Sequence, residues 1–268
     1  MDIISHTLAG IAVATAVAAL ATERPVDRGR ILCCGGLGGV LPDLDTISLW
    51  SGFDGTLGSF FQLPAKGRDI YFSNFWYSHH NFAHSLLGGL LISCALLLPL
   101  ALPLLVTGKR SLYQKGWRQL GIYGLALLAG YSAHLLGDLP TPSHSWGGIK
   151  LFWPLPVTSG GSGRIWWWNN YDLFLLLALA CTLNLGLLGL SARLKKAWRK
   201  ILPTLICLAV FLLLLRQIEG RQVDFNNTGY RSKWAECEEK SLEQQQELLG
   251  QPLYHLMRQF DALLPSYF

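Results

Sequence analysis

The chain has 268 residues, of which 51% are hydrophobic and 15% charged, with a formal net charge of +5. That balance excludes an intrinsically disordered chain, and six cysteines in this length are too sparse for a disulfide scaffold. The basic excess leaves nucleic-acid binding to be judged by where the charges sit, because a net charge carries no position.

Residues 3–22 (IISHTLAGIAVATAVAALAT) are long and apolar enough to cross a bilayer. A secretory signal would open on a basic segment, whereas Asp2 and His6 stand there. Residues 31–41 (ILCCGGLGGVL) make only about 16 Å of helix. They run into Pro42-Asp43-Leu44-Asp45 and a second apolar stretch, 46–50. This is either a half-span or a crossing with two carboxylates at membrane depth, where charge is costly and is functional by default. Residues 86–106 carry no charge, and 119–137 none apart from His134; 173–192 and 201–215 are uncharged and Leu-rich. None shows the polar stripe of a soluble core helix.

The basic residues decide between the two readings of 31–50. If it crosses, Arg24, Arg28 and Arg30, then Lys109, Arg110, Lys115 and Arg118, then Arg193, Lys195, Lys196, Arg199 and Lys200 all fall on one side, with only Glu23 and Asp27 as acids among them. The positive-inside rule makes that side cytoplasmic. If it does not cross, the pattern breaks. The expectation is therefore an all-α polytopic membrane bundle of about six spans, both termini outside. A membrane domain covers 1–218 and a small soluble helical tail 219–268, helical over 234–249. The aromatic clusters Phe75-Trp76-Tyr77 and Trp166-Trp167-Trp168 read as interfacial belts. Five cysteines fall in spans and read as small buried hydrophobes.

Six of the seven histidines, with Asp43, Asp45 and Asp138, gather at the outer ends of spans or in outer loops; His255 is in the tail. His6 opens the first span, Asp43 and Asp45 end the second, His79, His80 and His84 lead into the third, and His134 and Asp138 close the fourth. His134 and Asp138 are i, i+4 neighbours on one helix face. His144 follows beyond Pro140 and Pro142, which end the helix. Imidazole and carboxylate from four spans at one depth suit a divalent metal, Zn, Mn or Fe. The ligand candidates are His6, Asp43, Asp45, His79, His84, His134, Asp138 and His144.

No His-Glu-x-x-His, Gly-x-Ser-x-Gly or P-loop occurs. Ser5-His6-Thr7-Leu8-Ala9-Gly10, Gly39-Val40-Leu41-Pro42-Asp43-Leu44-Asp45, His79-x-x-x-x-His84-Ser85, and His134-Leu135-Leu136-Gly137-Asp138 with Thr141 and Gly147 follow one another over about residues 1–157. On these pieces the chain resembles the YdjM/YbcI-like family of bacterial inner-membrane metal-dependent hydrolases. That family usually has Arg after the first His of the third motif and Thr before the second; here His80 and Ala83 stand there. His80 is thus a replacement for that Arg or simply a neighbour. More distantly, His134, Asp138, Pro142 and His144 are similar in spacing to the zinc-dependent phospholipase C and S1/P1 nuclease fold, which implies phosphoester hydrolysis at zinc, expected here as one or two ions.

The expected function is hydrolysis of a phosphoester in a lipid-like substrate entering sideways from the bilayer. Asp43, Asp45 and His80 are the catalytic candidates, one of the carboxylates as general base. Lys150 and Arg164 are candidates for attracting phosphate. A transporter using the cluster for metal or protons and a membrane scaffold acting through its tail are the competing readings. Nucleic acid is not an expected partner, because the basic residues sit in short turns rather than a stripe with interleaved aromatics. A protein partner is not identifiable from the sequence.

Overall fold

The computed structural model describes residues 1–106, 110–142, 146–190, 194–221, 225 and 233–263; His144 lies outside them. The elements are helices α1 (Ile3–Ala21), α2 (Pro25–Val40), α3 (Gly67–Phe72), α4 (Leu86–Leu105), α5 (Arg110–Asp138), α6 (Tyr171–Gly189), α7 (Lys196–Glu219) and α8 (Trp234–Ala262), with 3₁₀ turns at Leu41–Leu49 and Phe82–His84. Two isolated bridges, Pro142 with Ser162 and Ile149 with Ser159, are the β pairing among the described residues.

Six segments are long and apolar enough to cross a membrane: Ile3–Ala21, Pro25–Leu49, Leu86–Leu105, Ser111–Asp138, Tyr171–Gly189 and Lys196–Glu219. The short 31–41 stretch is resolved by extension at both ends. Pro25 starts α2 one turn and a half earlier, where a missing N–H costs nothing. The 3₁₀ turn then carries the chain on through Asp43 and Asp45. The fourth and sixth spans likewise run longer than their uncharged cores, into Arg110 and Lys196.

α1, α2 and α5 form the centre. A Cβ on Gly130 of α5 would lie 2.1 Å from the Gly35 carbonyl oxygen of α2, so only glycine lets these backbones touch. Small residues at helix contacts are how membrane bundles gain packing without a hydrophobic drive between helices. α4 packs on α5, while α6 and α7 flank α1. α7 buries little beyond Pro203 and Val210 and presents Leu205, Leu208, Leu212 and Leu213 outward, as a lipid-facing helix does.

The two ends of the bundle differ. At one end Arg28 donates to the Leu188 carbonyl at 2.9 Å, and Arg199 pairs with Glu23 at 2.6 Å. The basic turns therefore meet there. At the other end are the first turn of α1, the 3₁₀ turn after α2, the start of α4 and the end of α5, which carry the histidines and aspartates.

Three expectations are corrected. Trp166 is fully buried and packs on Phe225 with ring centroids 5.6 Å apart, so it is loop core and not an interfacial belt. Cys33 and Cys94 are exposed on the bundle surface; Cys181 alone among the six is buried. The tail helix continues to Ala262 across a break at Gly250 (φ 69°) and packs against α6. Arg221 pairs there with Asp172 at 2.9 Å, both buried, and the Asp172 amide donates to Gln245 Oε1 at 3.2 Å.

Candidate metal centre

α1 starts on Asp2, whose carboxylate accepts from the amides of Ile4 and Ser5 at 3.0 and 2.9 Å. That cap fixes the first turn and with it His6, which is fully buried. Gly39 allows the end of α2 to lie against this turn: a Cβ there would be 2.3 Å from the His6 carbonyl oxygen. The chain then turns through Pro42 and delivers Asp43. His84 ends its 3₁₀ turn just before Ser85, which caps α4 by accepting from the Gly88 amide at 2.9 Å. Tyr131 holds that turn onto α5 through a hydrogen bond from its hydroxyl to the Ala83 carbonyl. His134 and Asp138 follow on α5, one turn apart.

These elements bring four ligand atoms together. His134 Nε2 is 2.9 Å from Asp138 Oδ2, 3.5 Å from Asp43 Oδ1 and 3.4 Å from His84 Nε2. His84 Nε2 is 3.4 Å from Asp43 Oδ1 and 3.5 Å from Asp138 Oδ2. Four atoms bound tetrahedrally to zinc, each about 2.0–2.1 Å from it, lie about 3.3 Å from one another. Five of the six edges of this group, at 2.9 to 3.5 Å, lie near that figure.

Hydrogen positions sharpen the picture. His134 Nδ1 is 2.8 Å from the Gly39 carbonyl, which only accepts, so Nδ1 carries the hydrogen and Nε2 of the neutral ring is a bare lone pair. Asp138 Oδ2 is buried without a hydrogen-bond partner, although Nε2 of His134 lies 2.9 Å away. Lone pairs that converge without a hydrogen between them call for a cation. His84 is different: its Nδ1 accepts from the His80 amide at 3.3 Å, which leaves the hydrogen of a neutral ring on Nε2. His134, Asp138 and Asp43 are thus ready ligands, and His84 stands at the fourth corner either as a ligand or as a donor to whatever occupies it.

Around this group sit the remaining candidates. His6 stacks on His134 at 3.7 Å, and its Nε2 is 3.0 Å from Asp138 Oδ1, which also meets the Met1 amino nitrogen at 3.2 Å. Neither nitrogen of His6 makes a hydrogen bond. His79 Nδ1 donates to Asp45 Oδ1 at 2.9 Å; Asp43, Asp45 and His79 form a second group with ligand atoms in common reach. Burial would lower the His79 pKa, but the Asp45 carboxylate overcomes it and raises it. His80 takes a left-handed backbone (φ 64°), is buried, and keeps an unpartnered Nδ1. Burial, then His79 and His84, hold its pKa well below the usual histidine value.

The side chains of the sequence-predicted substrate groups make no hydrogen bond or ion pair with the cluster among the described residues. Lys150 donates its backbone N–H to the His80 carbonyl at 2.8 Å, while Arg164 is exposed and reaches the Arg221 carbonyl at 3.5 Å. Sequence reasoning missed Tyr71, stacked on His79 at 4.4 Å, and Trp146, whose ring lies 5.0 Å from His79 and 4.6 Å from His80. Tyr71 comes from the short helix α3 and Trp146 from a loop, neither with a periodic signal, and only their aromatic character marked them. It also missed the Gly39 carbonyl, a backbone group that no residue type announces.

A family model described as YdjM inner membrane protein matches residues 1–223. No curated protein and no solved structure matches the chain.

Proposed function

The chain belongs to the YdjM inner membrane protein family, a multi-pass inner-membrane protein, and we propose that it is a metal-dependent hydrolase acting on a phosphoester of a lipid-like substrate. The observation that carries this reading is the convergence of Asp43 Oδ1, His84 Nε2, His134 Nε2 and Asp138 Oδ2, with five of the six separations at 2.9 to 3.5 Å, a bare lone pair on His134 and no hydrogen-bond partner for Asp138 Oδ2. Zinc suits this nitrogen and oxygen set. When bound it supplies Lewis-acid stabilisation of charge on the ester oxygens and an acidified water.

The protein's own groups do the rest. Gly39 holds His134 in the ligating tautomer. His84 Nε2 stands at the fourth corner, as a ligand or as a donor that orients what enters there. The Asp45–His79 pair lies beside the ligand group, Asp45 following Asp43 by two residues, and serves as proton acceptor for an attacking water. His80, held neutral, lines the same wall. The aromatic cap of the half-buried Tyr71 and the buried Trp146 keeps bulk water away, which strengthens each of these interactions. Lys150 and Arg164 lie in the loop at this end and attract phosphate toward it.

By the positive-inside rule, the basic turns at the opposite end support an extracytoplasmic side for the centre. A lipid headgroup then reaches it sideways from the leaflet, and nucleic acid is not a partner. The test is incubation of purified protein with phospholipids and with polyprenyl phosphates, with and without chelator, measuring released phosphate or headgroup. Chelator-sensitive release supports the reading; no release from either class, with metal bound, contradicts it. The transport reading rests on the same 2.9 Å contact, because a proton on His134 also satisfies Asp138. It is disfavoured by the position of the cluster at one end of the bundle, since transporters place sites near the midplane.

A further inference from the structure

The two halves of α8 meet different surroundings. In the first half Glu243, Gln246 and Glu247 are exposed, while Ser241, Gln244 and Gln245 are buried, Gln244 and Gln245 against Arg221 and Asp172. Gly250 (φ 69°) breaks the helix, and Pro252 opens its continuation. From there the side chains sort into three faces. Met257 is buried, and Tyr254 and Asp261 half-buried, toward the bundle. His255, Arg258 and Gln259 form a polar face. Leu253, Leu256, Phe260 and Leu263 are exposed, and at 100° per residue they fall within an arc of about 80°.

The depth of that apolar stripe is set by its contacts. The Tyr171 hydroxyl donates to Asp261 Oδ2 at 2.8 Å, and the Phe260 ring lies 5.6 Å from Phe174. Tyr171 and Phe174 form the first turn of α6, which is a membrane span. The stripe is therefore continuous with the surface that α6 presents to hydrocarbon. Leu256 is 58% and Leu263 80% exposed, too much apolar surface to leave in water beside a bilayer.

We propose that residues 251–263 form an interfacial helix, with Leu253, Leu256, Phe260 and Leu263 seated in the phospholipid acyl chains of the leaflet at the histidine end. The polar face of His255, Arg258 and Gln259 then meets the headgroups, the arrangement of a helix lying in the membrane plane. The tail is in this view a surface-bound element and not a free soluble appendage. It is tied to the metal centre's cap: Trp234, which begins α8, packs on Phe72, and Phe72 stacks on Trp146.

The test uses the full chain in nanodiscs of phosphatidylethanolamine and phosphatidylglycerol. A photoactivatable p-benzoylphenylalanine replaces Leu256, Leu263 or, as control, Glu243 of the polar first half. After irradiation, intact-mass analysis should show one added phospholipid for the Leu256 and Leu263 variants and several-fold less for the Glu243 variant. Two positions guard against a single variant that fails to fold. Crosslinked dimers from Leu256 and Leu263, adducts with another protein, or lipid adducts no more abundant than at Glu243 would overturn the proposal.

Discussion

The Nδ1 of His134 lies 2.8 Å from the carbonyl oxygen of Gly39, joining the end of α5 to the end of α2. One backbone oxygen thereby fixes a histidine tautomer and the register of two helices that carry ligands.

Gly39 should accordingly be sensitive to the smallest enlargement. A Cβ at this position would stand 2.3 Å from the His6 carbonyl oxygen, so Gly39→Ala must push α1 and α2 apart. Overpacking of this kind costs about 1–3 kcal/mol. Thermal unfolding in detergent should show a lowered Tm, and the bound metal should fall with it; an unchanged Tm would mean the contact is not tight.

The Asp45–His79 hydrogen bond predicts a separation of binding from turnover. Asp45→Asn leaves Asp43, His84, His134 and Asp138 in place, so metal in that group should stay near wild type. Hydrolysis should drop by about 10²-fold or more, the usual share of a general base. Loss of both metal and activity would instead make Asp45 a ligand of that ion.

Arg221 and Asp172 pair in a buried setting where α8 meets α6. Arg221→Met strands the carboxylate and should cost about 3–5 kcal/mol, whereas adding Asp172→Leu should recover much of the loss. Unfolding midpoints of the two variants, with proteolytic release of α8 as a second readout, check the ordering. Equal loss in both would show that the pair itself is not the fastening.

His80 gives a pH dependence with a definite sign. Its pKa is held well below the ordinary value by burial and then by His79 and His84. It therefore contributes stability that is fully present above the unfolded value, about 6.5, and is lost as pH falls below it, because the unfolded chain takes up the proton first. In metal-stripped protein, His80→Gln should flatten the decline in Tm between about pH 6.5 and 5. A decline as steep as wild type would remove His80 from that role.

Much of this arrangement was legible from residue spacing. Uncharged stretches near bilayer length marked the spans, and the positions of Arg24 through Lys200 correctly favoured six crossings over five. His134 and Asp138 at i, i+4 had to share a face, and His6, Asp43 and His84 were recognisable because charge and imidazole are rare at span ends. What escaped was non-periodic. Trp166 reads like a belt residue and is core, since burial of an aromatic in a loop depends on Phe225, distant in sequence. The second half of α8 was read as polar tail because its stripe starts only after the Gly250 break. The tautomers of His134 and His84 depend on backbone groups of Gly39 and His80, which carry no sequence signature.

The central claim is that Asp43, His134 and Asp138, with His84 at the fourth corner, hold a divalent metal. Metal analysis of detergent-purified protein, wild type against His134→Ala combined with Asp138→Ala, tests it most directly. The account predicts at least one equivalent of zinc or a similar ion per wild-type chain and a clear loss in the variant. Equal, near-zero metal in two well-folded proteins would contradict it.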